Sequence, residues 1–404
     1  MIRLFTVLVI AFLLYSCNDD AVSTDTQDYT AKFNLIQNFL DSSWSDYSQK
    51  NNIPDSCGIG CYITIKGAER FFKTINKNTL NEKNRYRIAS NTKVFTAAAI
   101  MLLHQKGKIN INDTISHLLP GSTESYLPDH PDFNIPYKNK ITIKQLLQHR
   151  AGVYDIANDL IPANVDQPYA GSSYYAYRIQ NSGIDYQFTI DELIKVVSDC
   201  QIYYSEPGTD FHYSNTGFQV LAKIIERASG KSYVDFIVDE ILIKNNLSST
   251  SVPFISTDNL IPEPFVEGYY ITTDGCFDVT KSNMSFNIAE GNIISSFFDM
   301  NKWIKLLLSG NTGISRENIS LMEDYSDNPV DKFGLGVEYF EGIGYGHTGA
   351  HAGYSSKTIY NPENDLSITF LANFWNFSNN MTSFMEQYNY TQGLLKQFIK
   401  ILNE

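Results

Sequence analysis

The stretch RIASNTKVFTAAAI, residues 87–100, sets a serine three positions before a lysine and then runs on as an uncharged apolar segment. Residues three apart share a helix face, so a helix starting here would hold Ser90 and Lys93 side by side at its first turn. A hydroxyl beside an amine can serve as a nucleophile and its base. The same spacing also suits a serine that caps the helix and a lysine that points to water. The rest of the chain must decide between them.

The chain has 404 residues, 43% of them hydrophobic and 13% aromatic, which is ample for a packed globular core. Its 31 basic and 44 acidic residues give a formal net charge of -13, with no clustered Lys/Arg run. That balance argues against a nucleic-acid partner, because neutralising phosphates needs a basic surface. The opening MIRLFTVLVIAFLLYSC carries one basic residue and an apolar run too short to span a bilayer, so residues 1–16 are expected to be an export signal. Its end, LLYSC, is similar to the lipobox of bacterial lipoproteins. On that reading Cys17 becomes a lipidated N-terminus, residues 17–32 a flexible tether, and the protein an exported one anchored to a membrane. Cys57 and Cys61, in CGIGCYITI, read as buried thiols on a strand, too far apart to bridge. Cys200 and Cys276 could pair in an oxidising compartment, which the sequence leaves open. The seven histidines lie in no metal-binding pattern, and no metal or cofactor is expected.

Periodicity predicts a helix over AKFNLIQNFLDSSWSDY, a hairpin around Gly67, and the Ser90 helix ending near Gly107. From about 110 to 285 the pattern turns to short helices and Tyr-rich polar loops. Beyond it come a helix at FFDMNKWIKLLLSG, strand-like runs FGLGVEYF, SKTIYN and LSITFLAN, and a closing amphipathic helix. Strands at both ends with helices between them predict an α+β fold, one antiparallel sheet drawn from both termini with a helical region inserted.

Two further strings sharpen the reading of Ser90. In EPGTDFHYSNTGFQVLAKIIERASG, Tyr213 and Asn215 form a Y-x-N pair between a Pro-Gly turn and an amphipathic helix. A second Y-x-N, Tyr137 to Asn139, lies in a polar stretch and is less well placed. In GYGHTGAHAGYSS, His347, Thr348 and Gly349 fall on a predicted strand. With the order Ser-Lys, Tyr-Asn, His-Thr-Gly, the chain resembles the penicillin-recognising serine hydrolases. The branch is that of class C beta-lactamases, D-alanyl-D-alanine carboxypeptidases, D-amino-acid peptidases and related esterases. The resemblance covers roughly residues 33–400, including the connecting phrases ITIKQLLQHRAGVYD and AEGNIISSFFDMNKWIKLLLSG. It implies the beta-lactamase/transpeptidase-like fold, with the active site in the cleft between sheet and helical region.

The resemblance assigns Ser90 as the acylated nucleophile, Lys93 and Tyr213 as proton-handling partners, and Asn215 as a positioning group. It places substrate along His347, Thr348 and Gly349, with the amides of Ser90 and Ala350 as oxyanion donors. Lysine can accept a proton near neutral pH only if its ordinary pKa of about 10.4 is depressed. A histidine at position 347, where class C beta-lactamases usually have lysine, would be mostly neutral at pH 7 and gain charge towards pH 6, which predicts pH-dependent binding of a substrate carboxylate. It weighs against an efficient beta-lactamase. Arg150-Ala151 replaces the Thr-Ser common in relatives, a change that touches specificity. The expected activity is acyl-enzyme hydrolysis of D-Ala-terminated peptides, including peptidoglycan stem peptides, or of related amides and esters. Beta-lactam hydrolysis is one alternative, and a catalytically weak penicillin-binding or peptidoglycan-sensing module is the other.

Overall fold

The computed structural model describes residues 29–74 and 80–404. The expected signal, the lipidation at Cys17 and most of the tether lie outside the described residues. Helix α1 (Thr30–Lys50) begins within the last residues expected of the tether, with Tyr29 and Phe33 already buried. It is followed by the hairpin β1 (Ile59–Ile65) and β2 (Ala68–Lys73), then by β3 (Arg85–Arg87) and α2 (Thr92–Gln105). The inserted region carries α3 (Ile143–Leu147), α4 (Tyr174–Ser182), α5 (Ile190–Cys200), α6 (Asn215–Ser229) and α7 (Tyr233–Ile237). It ends in a hairpin, β4 (Tyr269–Thr272) and β5 (Gly275–Asp278). The chain then returns through β6 (Ile294–Ser296), α8 (Phe297–Leu308) and α9 (Arg316–Glu323). It closes with β7 (Glu338–Phe340), β8 (Gly344–His351), β9 (Tyr354–Asn361), β10 (Leu366–Ala372), β11 (Phe374–Asn376) and α10 (Asn380–Asn403).

The main sheet has the order β2-β1-β10-β9-β8-β7 and is antiparallel throughout, drawn from both ends of the chain as the strand pattern predicts. One face packs on α1 and α10 through Ile36, Leu40, Leu394 and Phe398. Stacking of Tyr47 on Tyr390, with ring centroids 4.1 Å apart, and a bond from Lys32 Nζ to the Leu402 carbonyl (2.7 Å) join those two helices. The other face packs on α8, where Phe297 closes over Gly60. Helix α2 runs through the centre of the second core, with every residue from Thr92 to Leu103 buried. A helix that is apolar all round must be enclosed on all sides, which explains the uncharged run after Lys93.

Two departures concern weakly signalled elements. Strands β4 and β5, expected as loop, join β11 in a separate three-stranded sheet. Strand β5 is exposed at every residue, so it lacks the apolar alternation by which strands are recognised. The four cysteines among the described residues are all free: Cys57 and Cys61 are buried, although Cys57 sits in the turn before β1 rather than on it. Cys200 faces the Tyr169 hydroxyl, whereas the thiol that neighbours Cys276 is Cys57.

Candidate active site

Ser90 does not cap a helix. It stands on a tight 3-10 turn, Ala89–Asn91, and the α-helix starts at Thr92 without a side-chain cap. Ala89 adopts a left-handed conformation (φ +50°), which is costly for a residue with a Cβ and makes the bend that turns Ser90 outward from the end of β3. Lys93, which the capped-helix reading would put in water, is fully buried. Its Nζ donates to Asn215 Oδ1 (2.6 Å), the Glu290 carbonyl (2.9 Å), Ser90 Oγ (3.2 Å) and Glu290 Oε2 (3.3 Å).

Those acceptors reverse the expected shift of Lys93. Burial pulls its pKa down, but Tyr213, Glu290 and Asp155 together hold it above the ordinary lysine value, so the resting side chain is an ammonium ion. Glu290 is itself buried and its pKa is raised by desolvation, opposed by Lys93 and by the 2.7 Å bond from Asn287 Nδ2. Asn215 sits at the start of α6, whose entry is fixed by Ser214 accepting from the Gly217 amide. Its Oδ1 accepts from Lys93 while its Nδ2 donates to Asp155 Oδ2 (3.1 Å). Asn215 therefore links the ammonium to a second buried carboxylate.

Tyr213 lies over the same ammonium, with Lys93 Nζ 4.9 Å from its ring centroid, and its hydroxyl interacts with Ser90 and Lys93. Burial raises its pKa and those two partners oppose the rise, so the resting group is a phenol. The alternative Tyr137 is elsewhere, packed edge-on against Tyr203. His149 packs tilted against Tyr213, with ring centroids 4.2 Å apart; its Nδ1 accepts the Ser214 amide (3.0 Å) and its carbonyl the His212 amide (2.8 Å), fixing the chain on either side of Tyr213. Burial and then Lys93 keep His149 neutral.

The residues of β8 divide between two faces. Successive side chains alternate, so His347 and Gly349 face the Ser90 turn, and Thr348 faces the opposite side and lines a cavity against α10. His347 is 1% exposed, beneath Tyr213 and Phe333. Its Nδ1 bonds the Thr348 carbonyl (2.5 Å), and burial followed by Lys93 lowers its pKa to about 3. The expectation of a histidine that gains charge near pH 6 to bind a carboxylate is thus corrected: the ring stays neutral because it is enclosed beside a cation. A Cβ on Gly349 would stand 2.2 Å from the Ile88 carbonyl oxygen and 2.7 Å from Asn91 Nδ2, so only glycine lets β8 press against the Ser90 turn. Strand β7 pairs only with Gly344–Gly346, which leaves residues 347–351, Ala350 included, on the outer edge of the sheet.

The site therefore brings Ser90, Lys93, Tyr213, Asn215, His347 and Gly349 together. It also holds Glu290, Asp155 and His149, which no sequence motif marks although they lie within the phrases AEGNIISS and HRAGVYD. Their signal is weak in a sequence, since a lone acid or histidine in a loop carries no spacing rule. Arg150 ties the neighbouring loops together, donating to Asn328 Oδ1 and to the Gly208 carbonyl. Chemically, the arrangement can support a serine hydroxyl with a cation on one side and a phenol on the other. No cluster of three or more His, Cys, Asp or Glu side chains suited to a metal occurs among the described residues.

Residues 55–382 match the family model described as Beta-lactamase, and the chain belongs to that family. Protein flp of Staphylococcus aureus (strain N315) is 26% identical over 341 residues, covering 80% of this chain and 60% of its own length, so the chain spans about three-fifths of that relative. Penicillin-binding protein 4* of Bacillus subtilis (strain 168) is 31% identical over 176 residues, 44% of this chain and 32% of that protein. Among solved structures, D-amino acid amidase from Ochrobactrum anthropi SV3, complexed with L-phenylalanine, superposes with a TM-score of 0.69 at 21% identity, covering 92% of this chain and 100% of that one. A D-stereospecific amidohydrolase from Streptomyces sp. gives 0.66 at 22% identity, covering 84% and 94%. These two likenesses show the shared fold.

Three outcomes follow from the charges at the site. Because His347 titrates at about 3, the ratio of kcat/KM for a carboxylate-bearing substrate to that for a neutral ester should stay constant from pH 6 to 8, measured on the same enzyme. Substituting Glu290→Gln removes an anion that raises the Tyr213 pKa, so the alkaline rise of kcat/KM that accompanies loss of the Tyr213 phenol proton should move to lower pH. Thermal unfolding of that variant should show a loss of about 3–5 kcal/mol, the usual cost of stripping one partner from a buried ion pair.

Proposed function

We propose that this protein is a serine hydrolase that acylates Ser90, acting on amides, esters or short peptides of D-amino acids. The observation that carries the reading is the 3.2 Å bond from the Lys93 ammonium to Ser90 Oγ. Since Oγ accepts from Lys93, its own proton is free to point at Tyr213. In the enzyme form whose Tyr213 phenol has already released its proton to solvent, Ser90 Oγ attacks the substrate carbonyl while its proton passes to that phenolate, which the adjacent ammonium stabilises. Tyr213 then protonates the leaving amine or alcohol, and a water molecule repeats the sequence on the acyl-enzyme. The amides of Ser90 and Ala350 would receive the oxyanion, each such donor contributing about 3 kcal/mol in the transition state.

Within that chemistry, a neutral His347 at the position where a lysine cation would meet a carboxylate favours amides and esters over carboxypeptidase or beta-lactam substrates. The names of the two amide-hydrolysing structural neighbours agree by analogy. The protein is further proposed to be exported and held at a membrane through Cys17. Cys17→Ala should then move it from the membrane to the soluble fraction, and unchanged fractionation would contradict the anchor.

The direct test is intact-mass analysis after exposure to a slowly hydrolysed ester or a penicillin, run beside a panel of D-amino-acid amides, D-Ala-D-Ala peptides and short esters. Ser90→Ala should lose the mass adduct and at least about a thousandfold in turnover. Full labelling of that variant would place the nucleophile elsewhere.

A further inference from the structure

Behind β8, on the face away from Ser90, lies a cavity of about 200 Å³ between the sheet and α10. Its walls include Thr348, Ala350, Phe370, Phe384 and Tyr388, and its one charged lining group is Lys357. Lys357 pairs with Thr348 on one side and Phe370 on the other, so it sits in mid-sheet with its stem directed at α10. The residue is 5% exposed, and its Nζ is enclosed without a hydrogen-bond partner.

An ammonium in such a place is unusual, because burying a charge without acceptors is costly. The contrast with Lys93, which has four, is direct. What Lys357 has is the face of the Tyr388 ring, 5.3 Å from Nζ, and the field of Glu338 from β7. Register explains why Glu338 is felt at all: it aligns with Gly346, which has no side chain, and then with Ile359, on the same sheet face as Lys357. Burial lowers the Lys357 pKa to about 8 and raises that of Glu338 to about 7. The cavity is therefore an apolar chamber with one cation in its wall and no anion bonded to it. Tyr388, 45% exposed, stands where it meets solvent.

We propose that this cavity is a binding site for a small monocarboxylate with an apolar tail, its carboxylate received by the Lys357 ammonium and its tail packed between Phe370 and Phe384. The chemistry follows from the lining: one positive charge, aromatic walls, and room for about ten non-hydrogen atoms. A carboxylate supplies the missing acceptors and replaces a desolvated, unpaired charge by a charge-assisted bond. The site is distinct from Ser90, yet its wall includes Thr348, Gly349 and Ala350, so an occupant touches the strand whose other face meets the nucleophile turn.

The titratable groups around Lys357 are Glu338 from β7 and Tyr388 and Lys396 from α10, with Asp331 acting on Glu338. Below about pH 7 Glu338 is neutral and Lys357 charged. Above about pH 8 Lys357 loses its proton while Glu338 is ionised. Both changes weaken anion binding as pH rises, and a carboxylate probe stays ionised throughout.

Hexanoate is the probe, measured by isothermal titration calorimetry on the full mature chain. Saturable one-to-one binding is expected, unchanged in Ser90→Ala, and weaker by about tenfold or more at pH 9 than at pH 6. Lys357→Met, which keeps the stem and removes the charge, should lose about tenfold or more, as should hexan-1-ol against the unmutated chain. Circular dichroism and the melting temperature establish that the variant is folded, and the pH series needs no variant. No saturation at millimolar hexanoate, equal binding by folded Lys357→Met, pH-independent affinity, or loss of binding in Ser90→Ala would each overturn the proposal.

Discussion

One buried ammonium organises this molecule. Lys93 has no access to water, so its charge must be met entirely by protein atoms, and those atoms come from three separate stretches. Ser90 lies on its own turn, Asn215 opens α6 in the inserted region, and Glu290 lies in the loop that leads back to β6. A misplacement of any of them leaves a desolvated charge short of an acceptor. The cation thus specifies how the helical region closes on the sheet, and the Ser90 turn takes its place as part of that closure. Asp155 extends the network by one bond through Asn215.

The backbone around this charge is strained where it bends. Ala89, His149 and Ala289 all have positive φ although none is glycine, and each adjoins a group of the site. Ala89 precedes Ser90, His149 buttresses Tyr213, and Ala289 precedes Glu290. Such conformations persist only when the surroundings over-determine them. Here the surroundings are the fully buried α2, the close approach of Gly349 to the Ile88 carbonyl, and the bond from Thr96 Oγ1 to the Ala289 carbonyl (2.6 Å).

The two faces of β8 carry opposite solutions to the same problem. On the front, Lys93 is surrounded by acids and its pKa rises. On the back, Lys357 is surrounded by aromatic and aliphatic carbon and its pKa falls to about 8. Desolvation acts on both, and the number of nearby acceptors decides the sign. A strand one residue thick separates these environments, which is why the alternation of side chains along it matters to the reading of His347 and Thr348.

Much of this was legible in the chain itself. The helices at 30–50, 297–308 and 380–403 and the strands at both ends follow from apolar periodicity, because a half-buried element repeats with its own geometry. Ser90, Lys93, Tyr213 and Asn215 stand in strings whose order carries the family resemblance. What the sequence could not supply were quantities that depend on neighbours distant along the chain. The sign of the Lys93 shift needed Glu290, 197 positions away. The neutrality of His347 needed its burial beside Lys93, the face taken by Thr348 needed the register of β8 on β9, and the exposed β4–β5 hairpin needed its pairing with β11. Local pattern determined which residues and which elements are present. Tertiary packing decided their charge, because protonation is set by the water and the acceptors that surround a group, and only the folded chain brings those together.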